Sequence, residues 1–279
     1  MRSRHVSAAA ALVAALLLST GIALAHDLWL VPARFAVAPG ARVAVSLNTG
    51  DTFPVSEGAV KPERVERAAL VTAAGASALT SFRADGNSTV VDVTAPPDAG
   101  GAVVEVVLKP VATKQPRAGF DEFVRHEGLD AVAEALARQP ARRAEERRTY
   151  AKYAKTLLRV GDGRGAAALY AKPLGHRLEV VPEADPYALG PGDALPVRLL
   201  FDGRPLGGAR LVVGSTAAAA ATQSKMAGVR TDAEGRASLR LDKSGGPHYV
   251  HTLHMVPAAG RSDVEWESFW ATLTFATGR

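Results

Sequence analysis

Four histidines, His26, His248, His251 and His254, are the side chains in this sequence best suited to binding a metal ion. His26 directly follows the triplet Ala-Leu-Ala at 23–25, which has the form of a signal-peptidase site. If the mature chain begins at His26, its α-amine and one imidazole nitrogen can chelate a single ion. A second histidine would complete a set of three nitrogens, which suits Cu(II) or Ni(II).

The other three histidines recur at every third residue in the segment PHYVHTLHM, 247–255. Tyr249, Val250 and Thr252 favour a strand there, and side chains alternate between the two faces of a strand. His248 and His254 would then share one face, and His251 would lie on the other. We therefore expect that the three rings do not bind one ion together.

Oxygen ligands are available beside these histidines, whereas thiolate ligands are not, because the sequence has no cysteine. Asp27 is either an oxygen ligand or a surface residue. Two glutamates, Glu265 and Glu267, lie at the start of a predicted strand. Each could be a metal ligand or a hydrogen-bond acceptor that orients a ligating imidazole, and the alternative is a charged strand end without a metal role. Met255 is either a soft thioether ligand or, as we expect, a core residue.

Signatures of enzymes are missing from the sequence. It has no Gly-x-Ser-x-Gly elbow, no P-loop and no His-Glu-x-x-His motif. We therefore expect a protein that is not an enzyme.

The first 25 residues predict a signal peptide, since Arg2 and Arg4 precede an apolar run that ends before the Ala-Leu-Ala site. That run is shorter than the roughly 20 residues that cross a bilayer, so we expect no transmembrane segment after cleavage. Cleavage after Ala25 would place the protein in the periplasm or outside the cell. Loss of the two arginines lowers the net charge from +5 to +3, which does not favour binding to nucleic acid.

The rest of the chain predicts a mostly β protein with a helical segment in its middle. Short alternating apolar runs separated by turns indicate β-sandwiches over 26–115 and 166–279. Between them, 116–165 is rich in Ala, Glu, Arg and Leu, and its apolar residues fall near helical spacing. We expect two or three helices there, with breaks at Gly128 and Pro140. In the second β-rich region we expect an irregular loop at 217–222.

Several motifs together resemble an exported bacterial family of unknown function that is related to the nickel-uptake substrate-specific component. They are HDLWL after the signal peptide, PERVER at 62–67, FDEFVRHEGLD at 120–130, TYAKYAKTLLRVGD at 149–162, TDAEGR at 231–236 and the ending WESFWATLTF. The resemblance implies two immunoglobulin-like antiparallel β-sandwiches in the periplasm and a link to transition-metal uptake. It also implies metal binding at an N-terminal histidine, and because His254-Met255 matches the family ending, it makes His254 the first choice to meet His26.

The leading hypothesis is a periplasmic protein that binds nickel, cobalt or copper through His26 and His254 and assists metal uptake or handling. His251, His248, Asp27 and Glu267 are further candidate ligands, and a membrane transporter or an envelope protein is the expected partner. The alternative is a metal-free immunoglobulin-like interaction module of the cell envelope. A less favoured third reading is an oxidative copper enzyme that also starts with histidine.

Overall fold

The computed structural model describes residues 26–139, 143–216, 228–243 and 245–278. The predicted signal peptide, the predicted break at Pro140 and the predicted loop at 217–222 lie outside these residues. None of the helices in the described part of the chain has the length and apolar character needed to cross a lipid bilayer.

Eighteen strands make up most of the described residues. They are β1 (Asp27–Pro32), β2 (Ala36–Val37), β3 (Arg42–Gly50), β4 (Gly58–Ala59), β5 (Val65–Thr72), β6 (Gly75–Ala78), β7 (Phe82–Asp85), β8 (Ser88–Thr94), β9 (Gly100–Pro116), β10 (Glu145–Val160), β11 (Leu178–Pro182), β12 (Ala194–Phe201), β13 (Arg204–Pro205), β14 (Arg210–Ser215), β15 (Gly228–Arg230), β16 (Arg236–Arg240), β17 (Pro247–Pro257) and β18 (Trp266–Ala276). The helices are α1 (Arg117–His126), α2 (Asp130–Ala137) and α3 (Ala166–Tyr170), with 3-10 turns at Pro62–Arg64 and Pro186–Ala188.

The strands form three sheets. The N-terminal sheet has the order β1-β3-β8-β7, with β4 beside β3, and the C-terminal sheet has the order β11-β12-β13, with β16 beside β12. Between them, the nine-stranded central sheet has the order β15-β14-β17-β18-β10-β9-β5-β6, with β2 beside β10. Most strand pairs are antiparallel, but β10 and β18 run parallel, and this pairing joins strands from both halves of the chain. The predicted mostly β architecture of packed, mainly antiparallel sheets is confirmed.

The middle of the central sheet is buried on both faces. Successive residues of β10 point in opposite directions, so that Leu158 packs against the N-terminal sheet and Leu157 packs against the C-terminal sheet. Val104 and Val103 of β9 divide between the two cores in the same way. The two predicted sandwiches therefore share one sheet as a common middle layer.

The prediction of helix over the second half of 116–165 is wrong, since β10 occupies Glu145–Val160. Tyr150, Tyr153 and Leu157 are near helical spacing, yet all lie on a strand. A strand that is buried on both faces has no alternating pattern of apolar and polar residues, so its period is hidden. Two lysines, Lys152 and Lys155, are buried in this strand and interrupt the apolar run that would otherwise have indicated it.

The helices predicted before that strand are present as α1 and α2. The turn between them contains Gly128 at the predicted break, with a φ of 68°, a left-handed conformation that glycine adopts most readily. Phe120 and Phe123 of α1 pack against Trp266 and Trp270 of β18, with ring centroids 6.3 and 6.1 Å apart. The helical hairpin thus covers the end of the central sheet beside the N-terminal sheet.

Truncation of either neighbouring leucine of β10 tests the shared middle layer. Both side chains are fully buried. We expect Leu157→Ala and Leu158→Ala each to lower the free energy of unfolding by about 2 to 5 kcal/mol in urea denaturation, because each opens a cavity in a different core. The control Val229→Ala, at a residue 39% exposed, should change it by no more than about 0.5 kcal/mol. A leucine variant as stable as this control would contradict the two-sided core.

Candidate metal centre

His26 is positioned by β1, whose outer edge lies against the central sheet. Because β3 pairs with only one edge of β1, alternate carbonyls on the other edge need donors. Side chains of β10 and β18 supply them: Lys152 donates from Nζ to His26, Thr272 from Oγ1 to Leu28, and Thr274 from Oγ1 to Leu30 at 2.6 Å. These bonds fix the backbone of β1 from its first residue onward.

The pairing of β1 with β3 brings His26 next to two carboxylates. Asp27 lies opposite Gly50 in the antiparallel register, so the residue before Asp27 meets the residue after Gly50. His26 Nδ1 lies 3.0 Å from Asp51 Oδ1 and 3.6 Å from Glu57 Oε2. One ligand atom from each of these three residues lies within 4.8 Å of the others.

The loop between Asp51 and Glu57 is held by an aromatic anchor. Phe53 packs against both Trp29 and Tyr249, with ring centroids 5.6 and 4.8 Å away. The Asp51 N–H donates to Glu57 Oε1 at 3.0 Å, which orients the second carboxylate. Glycine is required at the start of the loop, since a Cβ on Gly50 would lie 2.8 Å from the carbonyl oxygen of Val55.

These three side chains form a partly open site of one imidazole nitrogen and two carboxylate groups. The side chains of His26, Asp51 and Glu57 are 43%, 40% and 43% exposed, so an ion from solvent has access to them. Imidazole and carboxylate together suit divalent transition ions, and the two carboxylates offset the ion's charge. The donor set present therefore fits such an ion.

The expected pairing of His26 with His254 is wrong. His254 belongs to the face of β17 that packs towards the C-terminal sheet, where its ring lies 4.6 Å from that of Phe201. His26 lies on the opposite side of the central sheet, beside β1. The two residues cannot share an ion, because the sheet itself separates them.

His251 lies on the same side as β1, but it is engaged with other groups. Its Nδ1 is 2.9 Å from Asp27 Oδ1, and its Nε2 is 3.9 Å from Glu127 Oε2. Both His251 and Asp27 are buried. Burial alone would lower the pKa of His251, but the two carboxylates reverse this effect and raise the pKa to about 9. Asp27 therefore favours the charged form of a buried imidazole and is not a surface residue.

The remaining predicted ligands lie away from His26. His248 is buried on the same face as His254 and stacks on Phe275 at 5.5 Å. Glu267 lies 3.5 Å from Arg261, and Glu265 binds Arg147 at 2.6 Å. These two glutamates form ion pairs near the start of β18.

Asp51 and Glu57 were missed by the sequence analysis. The sequence NTGD shows a turn after a predicted strand, but the partner of that strand cannot be read from the pattern. Only the register of β1 against β3 places Asp51 beside His26, and only closure of the loop adds Glu57.

A family model for a domain of unknown function, DUF4198, matches residues 23–255. The chain belongs to the DUF4198 family. The match begins three residues before His26 and includes both Asp51 and Glu57. This agrees with the predicted family of unknown function.

No curated protein matches this DUF4198 chain. Among solved structures, the D0-D1 domain of intimin has 9% identity and a TM-score of 0.21, with 90% of this chain and 98% of that chain covered. The Yersinia pseudotuberculosis adhesin InvE has 15% identity and a TM-score of 0.20, covering 88% and 58%. The Escherichia coli adhesin FdeC has 16% identity and a TM-score of 0.24, covering 90% and 63%.

The buried pair of Asp27 and His251 predicts a pH-dependent stability. In the folded protein the pKa of His251 is raised to about 9 from 6.5. The contribution of His251 to the free energy of unfolding is therefore complete below pH 6.5 and is lost as the pH rises through 9. Burial lowers the pKa of Lys152 to about 8. Loss of its proton in the folded protein makes the free energy of unfolding rise with pH, but only above about pH 8. We expect the wild type to lose up to about 2 kcal/mol between pH 6.5 and 8 relative to His251→Gln.

Urea denaturation at the two pH values measures this difference. His126→Gln is the matched control, because His126 is an exposed histidine whose ring lies 3.7 Å from Glu127. The control should follow the wild type. Equal pH dependence in the wild type and in His251→Gln would show that His251 is not held as an imidazolium.

Proposed function

We propose that this protein is an exported transition-metal-binding protein that assists metal uptake or handling. In this proposal the chain is cleaved after Ala25 and binds one divalent ion, nickel, cobalt or copper, at His26, Asp51 and Glu57. In this proposal, Asp51 and Glu57 are the ligands that complete the site with His26, a role that the sequence analysis assigned to His254. The protein binds metal without catalysing a reaction, and it passes the ion to a transporter or another envelope protein.

The observation that carries the proposal is the convergence of three ligand atoms within 4.8 Å, from a residue before β1 and from both ends of one loop. Carboxylate oxygens of Asp51 and Glu57 lie within 4.8 Å of each other, and a cation between them would relieve the repulsion of like charges at this distance. His26 Nδ1 lies 3.0 Å from Asp51. Both carboxylates therefore lie on the side of the ring that an α-amine at His26 would also use.

The α-amine would strengthen the site further. Amine nitrogen and Nδ1 of one histidine close a six-membered chelate ring around an ion. Together with Asp51 and Glu57, they provide two nitrogen and two oxygen donors. The carbonyl oxygen of His26 is already bound by Lys152, which keeps the backbone of this residue in place.

A calorimetric metal titration of the chain starting at His26 tests the ligand set. We expect one equivalent of Ni(II), Co(II) or Cu(II) to bind, and Asp51→Asn, Glu57→Gln and His26→Ala each to weaken binding by at least about tenfold, since even groups that only orient ligands are worth that much. His254→Ala and Asp85→Asn, matched in residue type, should bind as the wild type does. Absence of binding would contradict the proposal and favour the metal-free interaction module.

A second prediction concerns the free amine alone. Acetylation of the α-amine of His26 leaves every side chain in place but removes the amine as a donor to the chelate ring. We expect affinity to fall by about tenfold or more, because one nitrogen donor is lost. Chains with and without the acetyl group are compared in the same titration, after mass spectrometry of the exported protein has established where it starts. Equal affinities would show that the amine is not a ligand.

A further inference from the structure

A basic cavity of about 570 Å³ has His26 among the residues of its wall. Four cationic side chains line it, namely Lys61, Arg64, Arg148 and Lys152. No aspartate or glutamate of the described residues is among its lining groups. The rest of the wall is largely apolar and includes Leu108 and the ring of Tyr150.

The inner end of the cavity is formed by two buried cations. Arg148 is 2% exposed, and its guanidinium carbon lies 4.0 Å from the ring centroid of Phe123. Its Nε and Nη1 have no hydrogen-bond partner within the described part of the chain. Lys152 is 6% exposed. Its ammonium donates to the carbonyl oxygen of His26. Burial lowers the pKa of Arg148 to about 10, so this charge is held at a cost.

The carboxylates near Lys152 already have basic neighbours. Asp27 lies 2.9 Å from His251, and Asp51 lies 3.0 Å from His26. They attract the Lys152 ammonium, but the like charge of Arg64 opposes them. Glu127 attracts Arg148 in the same way, but its carboxylate also lies 3.9 Å from His251 Nε2. The four cations of the wall therefore leave an excess of positive charge for an anion inside the cavity.

The outer end of the cavity adds two accessible cations. Lys61 is exposed and Arg64 is half-buried. Arg64 donates from Nη2 to the carbonyl oxygen of Lys109 at 3.1 Å, which fixes the guanidinium, while its Nε has no partner among the described residues. Guanidinium groups with free donors bind carboxylates with defined geometry.

We infer that this cavity binds a small organic polycarboxylate. Arg148 and Lys152 attract one carboxylate at the inner end, and Arg64 and Lys61 bind another at the mouth. Leu108 and Tyr150 pack against the carbon skeleton between them. A ligand with two or more carboxylates and a short apolar body matches both the charges and the volume. The cavity shares His26 with the proposed metal site, but the four cations bind the carboxylates, so this binding requires no metal at His26.

Calorimetry on the chelator-treated, metal-free protein tests this inference with tricarballylate, succinate and inorganic phosphate as probes. We expect saturable binding of one tricarballylate, weaker binding of succinate, and little binding of phosphate, which has no carbon body. Arg64→Gln should weaken tricarballylate binding by about tenfold and Lys61→Gln by about threefold, as each removes a charged contact. Lys172→Gln removes an exposed lysine that is not part of the cavity wall and should leave the affinity unchanged.

A second measurement locates the probe without relying on variants. Tricarballylate should shift the amide NMR signals of Val111 and Thr113, which line the cavity. The inference is overturned if no carboxylate binds, if phosphate binds as tightly as tricarballylate, or if Arg64→Gln and Lys172→Gln behave alike. Loss of metal binding with retained tricarballylate binding would contradict the proposed metal site alone.

Discussion

The free edge of β1 is the constraint on which the site depends. A strand edge exposes carbonyls that need donors, and a neighbouring strand supplies them only on the other side of β1. Lys152, Thr272 and Thr274 meet this need from the central sheet. They are in line with β1 because β10 and β18 are parallel neighbours, with Ala154 opposite Thr272 and Thr156 opposite Thr274. The parallel pairing thus fixes the position of His26.

The shared central sheet explains why the site combines residues from distant parts of the chain. β10 and β9 are buried on both faces, so the N-terminal and C-terminal sheets pack onto one middle layer. Lys152 comes from the middle of the chain, while Tyr249, which anchors the loop of Asp51 and Glu57 through Phe53, comes from β17. A structural change in either half of the chain would therefore alter the position of His26.

The sequence predicted the β-rich regions at both ends, the helices α1 and α2 and the alternation of the histidines in β17. These features depend on local pattern and are confirmed. The helix predicted across Tyr150 and Leu157 was wrong, because burial on both faces removes the period of two. The pairing of His26 with His254 failed for a related reason: alternation shows which histidines share a face, but not which face β1 covers. Asp51 and Glu57 depend on strand register and loop closure, which no local pattern contains.

An anomalous-scattering crystal structure of the chain starting at His26, with Co(II) or Ni(II) bound, tests the central claim most directly. We predict one peak about 2.0 to 2.2 Å from His26 Nδ1 and from a carboxylate oxygen of Asp51, as expected for nitrogen and oxygen donors to such ions. Glu57 should complete the site from the same loop. A peak at His254 or His248, or no peak beside His26, would contradict the account.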